Sequence, residues 1–424
     1  MSKREKIIIV DFGSQYSHLI SRRIRELNVY SEIVQPDAPL CVFRQASGII
    51  LSGGPSSVYE SGAPSIDSQI FSFGLPVLGI CYGHQLMAYL LGGKINQAKE
   101  REYGFSKISV KQDARLFNRL APSELVWMSH GDSVGKLPAG FKAIASTGDC
   151  PVAAMADERK NLYGLQFHPE VTDTAKGKQI LNNFVYDICG CRGEWKMEDF
   201  IVEASKKLKS QAVGKKIFVF VSGGVDSAVV FTLFNKVLGE KQVYGFHVDN
   251  GFMRKGESKK IEEALMRLRG YDNFHVINAE DKFLQALKGV TDPEEKRKII
   301  GRVFISVFHD EIKKLKLGSQ DWILGQGTIY PDTIESGGTK QSAKIKTHHN
   351  QVEEVKQMIN DGRVLEPLRE LYKDEVREVG QKLGLPDEIV FRHPFPGPGL
   401  AVQTLCSDGQ EKPLANRLAV DRKI

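Results

Sequence analysis

The sequence predicts an α/β protein made of two doubly wound domains, and three observations carry that expectation. Its 424 residues leave room for two or three cores at about 150 residues per domain. Short β-rich runs alternate with amphipathic stretches, the pattern of a sheet covered on both faces by helices. The alternation halts once, at Gly190-Cys191-Arg192-Gly193, and then restarts. Domains are therefore expected over 1–192 and 193–400, with a short tail over 401–424.

In the first domain the expected strands are Lys6–Asp11, Gly48–Leu51, Pro76–Ile80, Val152–Met155 and Tyr163–Phe167. Helices are expected over Ser14–Leu27, Gly83–Leu91 and Ala175–Ile188. The second series opens with helix Glu198–Lys209, strand Ile217–Val221, helix Asp226–Val237, strand Val243–Val248 and helix Gly256–Arg269. It continues with strand Phe274–Ile277, helices near Asp281–Lys288 and Pro293–Lys314, and strand Trp322–Leu324. The segment His393-Pro394-Phe395-Pro396-Gly397-Pro398-Gly399 is neither helix nor central strand, because its three prolines lack backbone donors.

Composition narrows the function. Hydrophobic residues at 41% and charged residues at 26% argue against a disordered or fibrous chain. No apolar run approaches the roughly 18 residues of a membrane span, so no membrane partner is expected. Met1–Glu5 is charged and runs straight into Lys6-Ile7-Ile8-Ile9-Val10, a start without a signal peptide. The net charge of +6 is interleaved, as in Glu294-Glu295-Lys296-Arg297-Lys298, and makes no basic stripe for nucleic acid. Six scattered cysteines (41, 81, 150, 189, 191 and 406) fit a reducing, cytoplasmic setting and no disulfide framework.

Two constellations carry chemistry. In Gly79-Ile80-Cys81-Tyr82-Gly83 a strand turns into a helix. A thiol on such an elbow stands exposed above the sheet edge, and the helix N-terminus favours its anion. Gly164-Leu165-Gln166-Phe167-His168-Pro169-Glu170 ends another strand. His168 there can act as general base and acid while Glu170 orients its ring. Leu51-Ser52-Gly53-Gly54-Pro55 offers backbone donors for an oxyanion. These residues resemble the class I glutamine amidotransferase domain. The resemblance implies Cys81 as nucleophile on the glutamine amide, with Gly54 and Tyr82 supplying the oxyanion N–H groups; His84 receives no role.

The second constellation is Ser222-Gly223-Gly224-Val225-Asp226-Ser227, between Phe218-Val219-Phe220-Val221 and a helix. Successive N–H groups of such a turn cradle phosphate oxygens, helped by the Ser222 and Ser227 hydroxyls. Asp226 repels phosphate unless a cation such as Mg²⁺ lies between. Asp332, in Gly325–Ser336, is a candidate second ligand, and Lys346, in Ile345–Asn350, a candidate polyphosphate partner. The loop resembles that of the ATP pyrophosphatases, of adenine nucleotide α-hydrolase-like fold.

The two modules in this order resemble the glutamine-hydrolysing GMP synthetases from about residue 6 to 405. That resemblance implies a ligase of purine biosynthesis. ATP adenylates XMP with release of pyrophosphate, and ammonia from glutamine displaces AMP to give GMP. It also matches Arg297 to an XMP-binding arginine. The family continues into a C-terminal domain that dimerises and supplies much of the XMP site. The chain ends at Ile424, so weak XMP binding and a largely monomeric state are expected. The alternatives are a chain with glutaminase and ATP-binding activity only, or a non-catalytic binding remnant.

Overall fold

The computed structural model describes residues 5–266, 272–316, 318, 321–336 and 353–392. The chain divides into two compact units, the first ending at Lys196 and the second beginning at Met197.

The first unit is built on one nine-stranded sheet. It opens with β1 (Lys6–Val10), α1 (Ser17–Arg25), β2 (Tyr30–Val34), α2 (Leu40–Phe43), β3 (Gly48–Leu51), β4 (Val77–Ile80) and α3 (Tyr82–Leu90). It continues with β5 (Lys94–Val110), β6 (Ser123–Lys136), β7 (Lys142–Ser146), β8 (Ala154–Asp157), β9 (Leu162–Leu165) and α4 (Gly177–Asn182). The strand order is β2-β1-β3-β4-β9-β8-β7-β5-β6. Parallel pairing runs from β2 to β9, and the rest is antiparallel.

Period-two alternation builds both cores. Ile7 and Ile9 enter one buried cluster, while Ile8 and Val10 enter the other on the opposite face of β1. Buried on both faces, the central strands read as continuous apolar runs. The register then aligns four strand ends: Val10 pairs with Leu51, Leu51 with Gly79, and Ile80 with Leu165. The segments that leave β3, β4 and β9 therefore emerge side by side.

Two expectations need correction. The segment Val152–Met155 is displaced as a strand, since the hairpin pairs Asp157 with Leu162 and places β8 at Ala154–Asp157. The expected helix Ala175–Ile188 begins at Gly177 and widens into a π-helical turn over Asn183–Ile188. The long β5–β6 ribbon was not expected at all. β6 does alternate in burial, but two of its inward positions are the polar His130 and Asp132, which break the apolar rhythm.

The second unit contains α5 (Met197–Gln211), β10 (Lys216–Phe220), α6 (Val225–Leu238), β11 (Val243–Asp249), α7 (Glu257–Met266), β12 (Phe274–Asn278), α8 (Glu280–Leu287) and α9 (Pro293–Lys314). Next come β13 (Trp322–Gly325), α10 (Tyr330–Ser336), α11 (Glu353–Asn360), β14 (Val364–Leu365), α12 (Lys373–Leu383) and α13 (Asp387–Val390). Its five strands are all parallel, in the order β12-β11-β10-β13-β14. The chain runs outward from β10 to β12, then returns to place β13 on the other side. The β10/β13 junction is thus the topological switch point, where open α/β sheets form their ligand crevice. α9 begins with Asp292 capping Glu295 N at 2.7 Å and Pro293 in its first turn, a standard helix start.

Among the described residues no helix is long and apolar enough to cross a membrane.

Candidate active site

The first site forms at the aligned ends of β3, β4 and β9. Cys81 sits between β4 and α3 with φ 50° and ψ −104°, a strained conformation that costs on the order of 1–3 kcal/mol. Surrounding hydrogen bonds impose it: Cys81 N to Leu165 O at 2.7 Å, Gly83 N to Ser52 O at 3.0 Å and Gln85 N to Cys81 O at 3.1 Å. The flanking glycines have a steric reason. A Cβ on Gly79 would lie 2.5 Å from the Gly83 carbonyl oxygen, and one on Gly83 would lie 2.4 Å from that of Leu51. Neither fits, so the elbow requires a bare backbone at both positions.

His168 comes from the segment after β9. Its Nδ1 donates to Glu170 Oε1 at 2.7 Å, with both side chains buried. Burial alone would lower the His168 pKa. The Glu170 carboxylate and the hydrogen bond with Cys81 outweigh it and hold the imidazole well above its ordinary value. The segment is stitched to β6. His168 N donates to Trp127 O at 3.1 Å, Thr174 Oγ1 donates to His168 O at 2.6 Å, and Trp127 N donates to Thr174 Oγ1 at 3.0 Å. Gly53 and Gly54 close the site from β3. A Cβ on Gly53 would meet His168 Cε1 at 3.3 Å; one on Gly54 would meet the Phe12 carbonyl at 2.8 Å and the Tyr82 ring at 3.3 Å.

Three contributors were not read from the sequence. The Cys81 thiol lies 3.5 Å from the Ser129 carbonyl oxygen and 3.7 Å from Gln166 Nε2. Gln85 Nε2 donates to Asp132 O at 2.7 Å and Gln166 Oε1 at 3.2 Å, so a buried amide relay positions the thiol. The weak signal was polarity: Gln85 and Gln166 sit in otherwise apolar surroundings.

His84, in the next turn of α3, is wholly buried, and its Nδ1 fills the space a Cβ on Gly164 would take. Burial first, and His130 second, push its pKa down to about 3. The unfolded chain binds this proton at about pH 6.5. The stability from a neutral His84 is therefore full above that value and is lost as pH falls towards 3. At about pH 5 the loss is about 2 kcal/mol. His84→Met should remove this term, so its melting temperature should fall less between neutral pH and pH 5 than the parent's. Equal losses in the two melting curves would show that His84 is not the acid-sensitive group.

The second site forms at the β10/β13 switch point. Gly223 takes φ +83°, which lets the segment 222–227 fold over the start of α6. Ser222 N donates to Ser227 Oγ at 3.2 Å, and Ser227 Oγ donates to Gly224 O at 3.0 Å. Behind the loop, Arg392 Nη1 donates to Gly223 O at 3.1 Å and pairs with the buried Glu257. His247 Nδ1 donates to Val221 O at 2.7 Å, and burial lowers its pKa and favours the neutral ring. Neither residue was expected here; Arg392 adjoins the proline-rich segment, and its clamp is visible only in three dimensions.

A cavity of about 300 Å³ opens in front of the loop, lined among others by Ser222, Gly224, Asp226, Ser227, Gln326 and Asp332. Asp226 Oδ1 is buried without a hydrogen-bond partner, and its Oδ2 meets Lys373 Nζ at 2.5 Å. Burial raises the Asp226 pKa, Lys373 opposes the rise, and Asp332 adds to it. An orphaned carboxylate oxygen beside a second carboxylate fits a hard cation that takes its remaining ligands from water and phosphate. Arg297 stands elsewhere: it is exposed on α9, paired with Glu294, and does not line this cavity. Lys346, with Ile345–Asn350, His393–Gly399 and the tail 401–424, lies outside the described residues.

The class I glutamine amidotransferase family model matches residues 8–188. The chain is 47% identical over 406 residues to the "Probable GMP synthase (glutamine-hydrolyzing)" of Leptospira interrogans, covering 95% of this chain and 66% of that protein. It is 49% identical over 413 residues to the GMP synthase of Geobacillus kaustophilus, covering 96% and 79%. With that of Caldicellulosiruptor saccharolyticus it shares 48% over 414 residues, covering 97% and 79%. The chain thus spans about two thirds to four fifths of the length of these relatives. Identity at this level over 95–97% of the chain makes it a member of the glutamine-hydrolysing GMP synthase family.

Proposed function

We propose that the chain hydrolyses glutamine in its first unit and uses the ammonia, in an ATP-dependent ligation at the second, to convert XMP to GMP. The observation that carries the reading is the convergence of Cys81, His168 and Glu170 at two strand ends held in register, β4 and β9, with the Cys81 elbow admitting no side chain at Gly79 or Gly83.

In this reading the Cys81 sulfur, its proton passed to His168, attacks the side-chain amide carbon of glutamine. The oxyanion points at the N–H groups of Gly54 and Tyr82. His168, held charged by Glu170, gives its proton to the departing ammonia and then takes one from the water that cleaves the thioester. In the second unit Ser222, Gly223, Gly224, Val225 and Ser227 cradle the phosphates of ATP. Asp226 and Asp332 would hold Mg²⁺, which when bound supplies charge neutralisation between carboxylates and phosphate oxygens. Lys346 adds a second positive group, and Arg297 offers XMP a phosphate anchor. The free thiols of Cys41, Cys81, Cys150, Cys189 and Cys191 fit a cytoplasmic enzyme.

The test is one incubation of the chain with glutamine, Mg²⁺-ATP and XMP, with glutamate, pyrophosphate, AMP and GMP measured separately. All four products are expected, with pyrophosphate, AMP and GMP formed slowly because XMP is held weakly. Glutamate without AMP would restrict the function to the first unit, and no glutamate would overturn the reading of the thiol.

A further inference from the structure

We propose that Lys373 is the resident counter-ion of Asp226 and surrenders that carboxylate to the incoming divalent cation. The inference rests on the reading of the second cavity as a magnesium–ATP site and adds a positioning residue to it.

Lys373 is the first residue of α12, and Asp226 the second of α6. The charge of Lys373 is out of place on its own helix. A helix N-terminus favours anions, and α12 provides them at Asp374 and Glu375. Asp226 is what the ammonium serves: its Oδ2 lies 2.5 Å away. The carboxylate faces Asp332 in the same cavity, and Lys373 is the larger of the two positive groups that offset the acids, Arg377 being the lesser.

The pair is also built to open. Its side chains are 35% and 26% exposed, so the ammonium can withdraw into water instead of being stranded in a dry core. The other Asp226 oxygen already lacks a partner. A cation that takes this oxygen needs only to displace a flexible lysine. The released ammonium then stays within reach of the anionic ligand that arrives with the metal.

The experiment is Mn²⁺ binding to the nucleotide-free chain, with free Mn²⁺ read by electron paramagnetic resonance. Lys373→Met removes the competing charge and should tighten Mn²⁺ binding about tenfold, the scale of one charge-assisted contact. Lys373→Arg, which keeps the charge, should stay close to the parent, and Asp226→Asn should lose the site. A purely structural lysine would not give tighter binding when removed. Unchanged or weaker binding in Lys373→Met overturns the inference. If that variant melts early, Lys373→Gln carries the same expectation and the same overturning result. Mn²⁺-ATP binding by the Asp226→Asn variant separates the two levels. If it is undiminished, the reading of the cavity fails; if it is lost while Lys373→Met leaves Mn²⁺ affinity unchanged, only the counter-ion inference fails.

Discussion

Cys81→Ala should reduce glutamine hydrolysis a thousandfold or more, on the order expected when a triad loses its nucleophile, with ATP binding unchanged. Three of the four other described thiols are set aside by burial. Burial pushes Cys150 up to about 12 and Cys191 up to about 11, and holds Cys189 well above its ordinary value. None of these provides a thiolate near neutral pH. Cys81 alone stands on a strained elbow beside an imidazole held charged, with its sulfur within reach of the Gln166 amide. The alanine variant keeps the Gly79 and Gly83 packing, so the elbow and the fold should persist. Glutamate release at the parent rate would move the nucleophile elsewhere.

Asp226→Ala should produce the second large effect: at least a hundredfold weaker Mg²⁺-ATP binding and no pyrophosphate release, with glutamine hydrolysis retained. The carboxylate lies inside a turn of backbone donors, where a negative charge is unfavourable beside phosphate unless a cation joins them. Its loss removes one of the two acids facing the cavity and leaves Lys373 without its partner. Two charge-assisted contacts at about 1.5–3 kcal/mol each set the scale of the loss. Calorimetric titration with Mg²⁺-ATP measures it. Unchanged affinity would show that the cation is held by other groups.

Much of the architecture was legible because the chemistry is local. Ile7–Val10, Ile49–Leu51 and Val77–Ile80 are buried on both faces and read as apolar runs. The glycines of the elbow are spaced for one tight turn. The Ser222–Ser227 turn is contiguous, so the strand-to-helix junction it makes could be read residue by residue. The β5–β6 ribbon was harder. Lys94–Val110 carries three lysines, two glutamates, an arginine, a glutamine and an asparagine, and His130 and Asp132 occupy inward positions on β6. Polar residues at inward positions erase the rhythm that marks a strand.

The sequence by itself determined the two α/β series, the thiol elbow, the His-x-Glu pair and the phosphate-type turn, because each depends on neighbours a few residues apart. Only the tertiary structure decided which distant groups serve them. The register of β3, β4 and β9 brings Gly53, Cys81 and His168 to one edge, and the β5–β6 ribbon delivers the Ser129 carbonyl to the thiol. Arg392 reaches Gly223 across 169 positions and Lys373 reaches Asp226 across 147. No local pattern encodes such pairs. A charged side chain reads alike on a solvated surface or against a buried partner, and packing alone distinguishes the two.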